Sequence, residues 1–97
     1  MNTYKREYEI EYTKQFFEDI QTHKRAGQKA IITKIDTLVN ELRKHPTTGT
    51  GNPEPLKQDR KGQWSRRITG KHRLIYEIHD NTITVILISA LGHYGDK

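Results

Sequence analysis

The sequence predicts an α+β domain with the order β-α-α-β-β-β, two N-terminal helices packing on a small, mostly antiparallel sheet. Three observations carry that expectation. Apolar residues recur at helical spacing between Phe16 and Leu42. All three prolines and three of the seven glycines then fall in one stretch, residues 46–63. Beyond that stretch the chain breaks into strand-length segments separated by turn residues.

Residues 8–12, YEIEY, alternate in the manner of a short strand. Thr13 follows as a helix cap, its hydroxyl able to accept from an orphan amide of the first turn, and Phe16, Phe17 and Ile20 supply the apolar positions. Gly27 marks the break into a second helix, Gln28 to about Lys44. There Ile31, Ile35, Leu38 and Leu42 fall at spacings of four, three and four, and Ile32 and Val39 widen the stripe. Arg43, Lys44 and His45 suit the negative end of the helix dipole, and Pro46 closes it. Residues 46–63 predict an irregular loop with Leu56 to bury. Three strands follow, Trp64–Thr69, Arg73–His79 and Ile83–Leu91, the last two joined at Asp80-Asn81. The final segment, ITVILISAL, is apolar on both faces and fits a central strand.

The hairpin register carries a further expectation. A three-residue loop, Gly70–His72, would set Thr69 opposite Arg73 and Arg67 opposite Ile75. Arg67 and Arg73 would then project from one face, away from Ile68, Leu74 and Tyr76. A two-residue loop would drive Arg67 toward the core, so the longer loop is preferred.

Ninety-seven residues are enough for a single domain with one modest core. No apolar run is long enough to cross a bilayer, and MNTYKREYEIEY carries charges where a leader would be apolar, so no membrane association and a cytoplasmic location are expected. Cysteine is absent, which removes disulfide and thiol chemistry. The five histidines show no paired spacing on a helix face; neither a metal site nor a cofactor is expected.

Net charge is +5, and its placement is more telling than its size. Between Lys57 and Arg73 lie seven cations and one acid, while the remaining residues carry ten cations against eleven acids. Such concentration is the footprint of a polyanion site. A hairpin edge guarded by Lys and Arg against aggregation would look the same, and charge alone leaves the two level.

Within NPEPLK, Glu54 lies between two prolines that stiffen the backbone around it. Taken alone, Glu54 reads as an offset to local positive charge. Taken with His93 and the nearby cations, it completes an inventory suited to RNA cleavage without metal. A base takes the ribose 2′-OH proton, an acid protonates the leaving 5′-oxygen, and cations stabilise the phosphorane between them. Tyr94 or Trp64 could stack an unpaired base, although Trp64, sharing a face with Ile68, reads better as a core anchor. His93-Tyr94 can equally be a surface pair that ends the last strand. The same positive field opposes protonation of an imidazole, so the inventory would work best once a substrate phosphate or a larger partner offsets it.

The stretch GNPEPLKQDRKGQWSRRITGKHRLIYEI, followed by a last strand ending in His-Tyr, resembles the YoeB/Txe branch of the RelE toxin superfamily. The family's G-x-P-E-P-L-K, W-S-R-R-I and H-R-L-x-Y motifs stand intact and in order between Gly51 and Tyr76. The resemblance implies a RelE-like fold and the toxin of a type II toxin–antitoxin module, an endoribonuclease that cuts mRNA in the A site of the 70S ribosome without metal. It places the general base on Glu54, the general acid on His93, the transition-state arginine on Arg73, and the substrate-orienting aromatic on Tyr94. Substrate-binding cations would fall on Lys57, Arg66 and Arg67. It also implies an antitoxin with an acidic C-terminal segment, operator DNA bound only as the toxin–antitoxin complex, and a possible homodimer. Relatives often stop at the tyrosine; here Gly95-Asp96-Lys97 follow, displacing the terminal carboxylate, for which Asp96 could substitute.

Two other functions fit the residues. A non-catalytic RNA- or ribosome-binding domain would block translation by occupancy. A scaffold would bind only its antitoxin and, in complex, operator DNA.

Overall fold

A computed structural model describes residues 7–57, 60 and 62–92. Two helices, α1 (Lys14–Arg25) and α2 (Lys29–Leu42), follow strand β1 (Glu9–Tyr12). After them come β2 (Glu54–Pro55), β3 (Gln63–Arg67), β4 (Arg73–His79), a 3-10 turn (Asp80–Thr82) and β5 (Thr84–Ser89). The strands form one sheet in the order β1-β5-β4-β3-β2, in which β1 runs parallel to β5 and every other pair is antiparallel. The α+β class, the paired helices and the central place of the last strand are as the sequence predicts.

One row of the register crosses the whole sheet: Tyr12, Leu87, Tyr76, Trp64 and Pro55 stand opposite one another in turn. It marks the helix-covered face, where Leu74, Tyr76, Val85 and Leu87 pack with Phe16, Ile35, Leu38 and Leu42, and Trp64 joins the rim of that core. Leu38 and Leu42 are fully buried, and truncating either to alanine would cost about 2–5 kcal/mol. The alternate row, Glu54, Ser65 and Ile75, lies on the opposite face.

Thr13 caps α1 as anticipated, its Oγ1 accepting from the Phe16 amide at 3.0 Å. The same hydroxyl donates to the Ile88 carbonyl at 2.8 Å. Ile88 sits where the β4–β5 register slips between Ile75 and Tyr76, so the cap also satisfies a carbonyl at this irregularity. Gly27, at φ +70°, separates the helices. The Lys44 and His45 amides both bond to the Glu41 carbonyl, so α2 closes at Leu42, two residues earlier than its composition suggests.

Three expectations need correction. Phe17 is exposed, because neighbours on a helix point about 100° apart and Phe16 takes the inward position. The inner stripe of α1 continues instead through Asp19 and His23, both buried. An additional strand, β2, pairs Glu54 with Ser65 and Pro55 with Trp64. Its prolyl nitrogen has no hydrogen to offer, which an edge strand tolerates. The β3–β4 turn is longer than expected: Arg67 stands opposite Arg73 and Arg66 opposite Leu74, with Ile68–His72 forming the connection. Thr69 decides this register, since its Oγ1 accepts from the Lys71 and His72 amides while the Ile68 and Thr69 amides converge on the His72 carbonyl. Arg67 and Arg73 still share a face.

Candidate functional site

Three carbonyls of the segment that precedes β2, those of His45, Thr48 and Thr50, converge on one buried side chain. Arg66 has no exposed surface, and all five of its N–H donors are matched. Nε donates to the Tyr76 hydroxyl at 3.2 Å, and one terminal nitrogen donates to Glu41 Oε1 at 2.9 Å and to the Thr50 carbonyl at 3.2 Å. The other donates to the carbonyls of His45 and Thr48. The Tyr76 hydroxyl donates in turn to the Pro46 carbonyl at 2.7 Å, and the Glu41 carboxylate also accepts from the Thr50 amide and hydroxyl. Hydrogen bonds from Thr50, together with the Arg66 charge, hold the Glu41 carboxyl below the ordinary glutamate range. Burial pushes the Tyr76 phenol up, and Arg66 partly opposes that shift. Arg66 is therefore a loop organiser, a correction to its expected place among the substrate-binding cations.

Beyond this cage the chain turns at Gly51, whose φ of +87° and close approach to β3 both demand glycine. The Gly51 carbonyl accepts the Arg67 amide at 2.6 Å, and the Leu56 amide donates to the Gln63 carbonyl at 2.8 Å. These bonds flank the two-residue strand and fix Glu54 on the face opposite the helices.

Glu54 meets Arg73 there, Oε2 lying 3.8 Å from a guanidinium nitrogen. Arg73 is 15 % exposed and Glu54 48 %. Arg67 is exposed beside them, and Lys57 is exposed two residues after β2. Two buried polar atoms belong to the same face. Arg73 Nε and Ser65 Oγ have no hydrogen-bond partner among the described residues. A buried donor without a partner is costly, and here it belongs to the side chain that holds the candidate carboxylate. The arrangement can bind an anion on Arg73 and Arg67 and present a carboxylate beside it. His93, Tyr94 and Asp96 lie outside the described residues.

A second polar cluster went unread in the sequence. Asp19 and His23 of α1 and His72 of the β3–β4 turn gather around the chain just after β5. His72 stands inside the H-R-L-x-Y motif, which was the available signal. Asp19 and His23 share one helix face, but acid and imidazole side chains read as surface without knowledge of the packing.

A family model described as the YoeB-like toxin of bacterial type II toxin–antitoxin systems matches residues 12–94. Toxin YoeB of Escherichia coli K12 is 46 % identical over 57 residues, 59 % of this chain and 68 % of that protein. Among solved structures, the YoeB/ParE toxin of Agrobacterium tumefaciens superposes with a TM-score of 0.83 at 32 % identity, covering 89 % of this chain and 99 % of the other. YoeB of Staphylococcus aureus, solved as a dimer, gives 0.78 at 34 % identity over 91 % and 99 % of the two chains. The same toxin in its complex with YefM gives 0.76 at 33 % identity over 90 % and 98 %.

Proposed function

Because the chain belongs to the YoeB-like toxins of bacterial type II toxin–antitoxin systems, we propose that it is an endoribonuclease that cuts mRNA in the ribosomal A site without a metal ion. Glu54 removes the proton from the ribose 2′-OH, and the 2′-oxygen attacks the adjacent phosphorus. Arg73 stabilises the charge that gathers on the phosphorane oxygens. The bond from phosphorus to the 5′-oxygen then breaks, and His93 protonates that oxygen, leaving a 2′,3′-cyclic phosphate and a 5′-hydroxyl. Tyr94 orients the substrate, and Lys57 and Arg67 hold flanking phosphates. Positioned acid–base groups of this kind contribute about 10²–10⁴-fold each.

The observation that carries this reading is the 3.8 Å contact between Glu54 and a largely buried Arg73. In the free protein the carboxylate is the counter-ion of Arg73. A scissile phosphate would take over that role and release Glu54 to act as base. The exchange makes activity depend on a well-placed phosphate, which suits a site completed on the ribosome.

The partners follow from charge. The cationic stretch around the site suits the acidic C-terminal segment of an antitoxin, and the YefM complex of the S. aureus toxin supports an antitoxin as partner. Operator DNA would be bound by the toxin–antitoxin complex, and the S. aureus dimer supports self-association. The toxin would act in the cytoplasm, where its ribosomal target lies.

Induction in a sensitive host, with 5′ ends of translated mRNA mapped by primer extension, tests the proposal. Wild type should create new ends within codons, and Glu54→Gln, Arg73→Ala and His93→Gln should create none while still binding antitoxin. Translation arrest without new ends would instead establish inhibition by occupancy.

A further inference from the structure

The chain leaves the sheet after Ser89, and its next backbone groups find side-chain partners in place of a ladder. Ala90 is fully buried. Its amide donates to Asp19 Oδ2 at 2.9 Å, and its carbonyl lies 2.9 Å from His23 Nε2. A carbonyl can only accept, so His23 carries its proton on Nε2. Two residues on, the Gly92 amide donates to His72 Nδ1 at 2.9 Å, and the Gly92 carbonyl accepts the Arg73 amide at 2.9 Å. His72 therefore keeps Nδ1 unprotonated. The two rings meet edge to face with centroids 4.9 Å apart, joining the helix to the turn. Asp19 is fixed in its own right, its other oxygen accepting from Gln15 Nε2 at 2.8 Å.

All four polar backbone groups of Ala90 and Gly92 are thus held from α1, from the β3–β4 turn and from the start of β4. Gly92, at φ +74°, turns the chain between them. Asp19 and His23 are almost fully buried, at 3 % and 2 % exposure. Such groups are hard to retain unless their hydrogen bonds matter, and the mechanism above uses none of them. The residue that follows Gly92 is His93.

We propose that Asp19, His23 and His72 form a side-chain clamp that sets where the chain leaves the sheet, and so act as positioning residues for His93 and Tyr94. This rests on the proposed role of that pair. Arg73 takes part twice: its backbone amide fixes Gly92, and its guanidinium faces Glu54. The clamp thereby ties the exit of the chain to the strand residue at the centre of the candidate site. Ring nitrogens make this possible because the two imidazoles are held in opposite roles, His23 as donor and His72 as acceptor.

The test uses the full chain with His72→Phe, which removes the acceptor, and His72→Asn, whose Oδ1 can stand where Nδ1 stood. A parallel pair is His23→Phe and His23→Gln, the amide nitrogen of glutamine replacing Nε2. Antitoxin binding and circular dichroism check the fold. Imidazole nitrogen shifts in wild type should show His72 bare at Nδ1 and His23 protonated at Nε2. In His72→Phe, Gly92 amide exchange should rise at least tenfold and the backbone order parameters of His93 and Tyr94 should fall. Single-turnover cleavage on ribosomes should fall about tenfold or more with ribosome affinity unchanged, and His72→Asn should recover all three. The clamp is overturned if Gly92 exchange does not change, if Asn is as impaired as Phe, or if cleavage persists at the wild-type rate once Gly92 is released. Should wild type itself fail to cleave, the nuclease reading falls by that result alone. The exchange and order parameters then decide the clamp, which fails if His72→Phe leaves them unaltered.

Discussion

Arg67 and Arg73 stand directly opposite one another across the β3–β4 ladder, both on the face away from the helices. Like charges in that relation oppose strand pairing, by an amount of order 0.2–1 kcal/mol. Stability alone would not select the pair; an anion placed between the two guanidinium groups would. Local conflict of this kind is expected where function overrides folding.

Arg67→Gln should therefore leave thermal stability unchanged or raise it slightly. Its affinity for a short single-stranded RNA should fall, and the slope of log affinity against log salt should shrink by about one phosphate contact. Anisotropy titrations over a salt series give the slope. A lowered melting temperature with an unchanged slope would make Arg67 structural instead.

Its neighbour Arg66 should behave in the opposite way. Removing one partner of a buried ion pair costs about 3–5 kcal/mol, and Arg66→Met also strips donors from the carbonyls of His45, Thr48 and Thr50. Urea unfolding should show a large loss for Arg66→Met and little for Arg67→Met. Equal losses at the two positions would contradict the buried cage.

These adjacent arginines show what the sequence could and could not convey. Alternation across the W-S-R-R-I segment placed Arg66 on the core side and Arg67 on the other, but residue type argued that both were surface cations. Loop carbonyls from earlier in the chain, with Glu41 and Tyr76, make a buried guanidinium tolerable. The aliphatic stripe of α2 was legible because apolar spacing and burial coincide there, whereas α1 hid its inner face behind Asp19 and His23. Strand β2 spans two residues, too few for any period to register, and the hairpin register hung on one hydroxyl, that of Thr69. Glu54 and Arg73, singled out from separate segments, do come together. His93 and Tyr94 lie outside the described residues, so the sequence remains their basis.

Acid should loosen the fold through two carboxylates. Hydrogen bonds from Thr50 and the charge of Arg66 lower the Glu41 carboxyl, and bonds from Gln63 and His79 lower that of Glu77. A group depressed in the folded state stabilises it fully above its unfolded value and loses that contribution as pH falls through the folded one. Urea midpoints should hold near neutrality and decline below about pH 4.5, the ordinary glutamate value. Glu41→Gln should be less stable than wild type at pH 7 and should flatten the decline; an unchanged acid limb would argue against Glu41 as a contributor.

Glu54→Gln should separate chemistry from stability. The carboxylate is about half exposed and its contact with Arg73 is long, so its loss should change stability by less than about 1 kcal/mol. Cleavage should nevertheless drop by about 10²–10⁴-fold in single-turnover assays on ribosomes. A variant that cleaves at the wild-type rate would assign the base elsewhere.

Gly51 offers a test of how the loop positions Glu54. A Cβ there would lie 2.9 Å from the Arg67 carbonyl oxygen and 3.2 Å from Arg66 Cβ, at a φ of +87°. Gly27 shares the left-handed backbone, at φ +70°, but a Cβ there meets nothing within 4 Å. Gly27→Ala should therefore cost only the conformational penalty, about 1–2 kcal/mol. Gly51→Ala carries the same penalty and must also push the loop off β3, breaking the bond from the Arg67 amide to the Gly51 carbonyl. Since Glu54 follows three residues later, the displacement should lower cleavage in Gly51→Ala well beyond its stability loss. Gly27→Ala should cleave normally at temperatures where it is folded. Comparable cleavage by the two variants would mean that β3 does not fix the carboxylate through this loop.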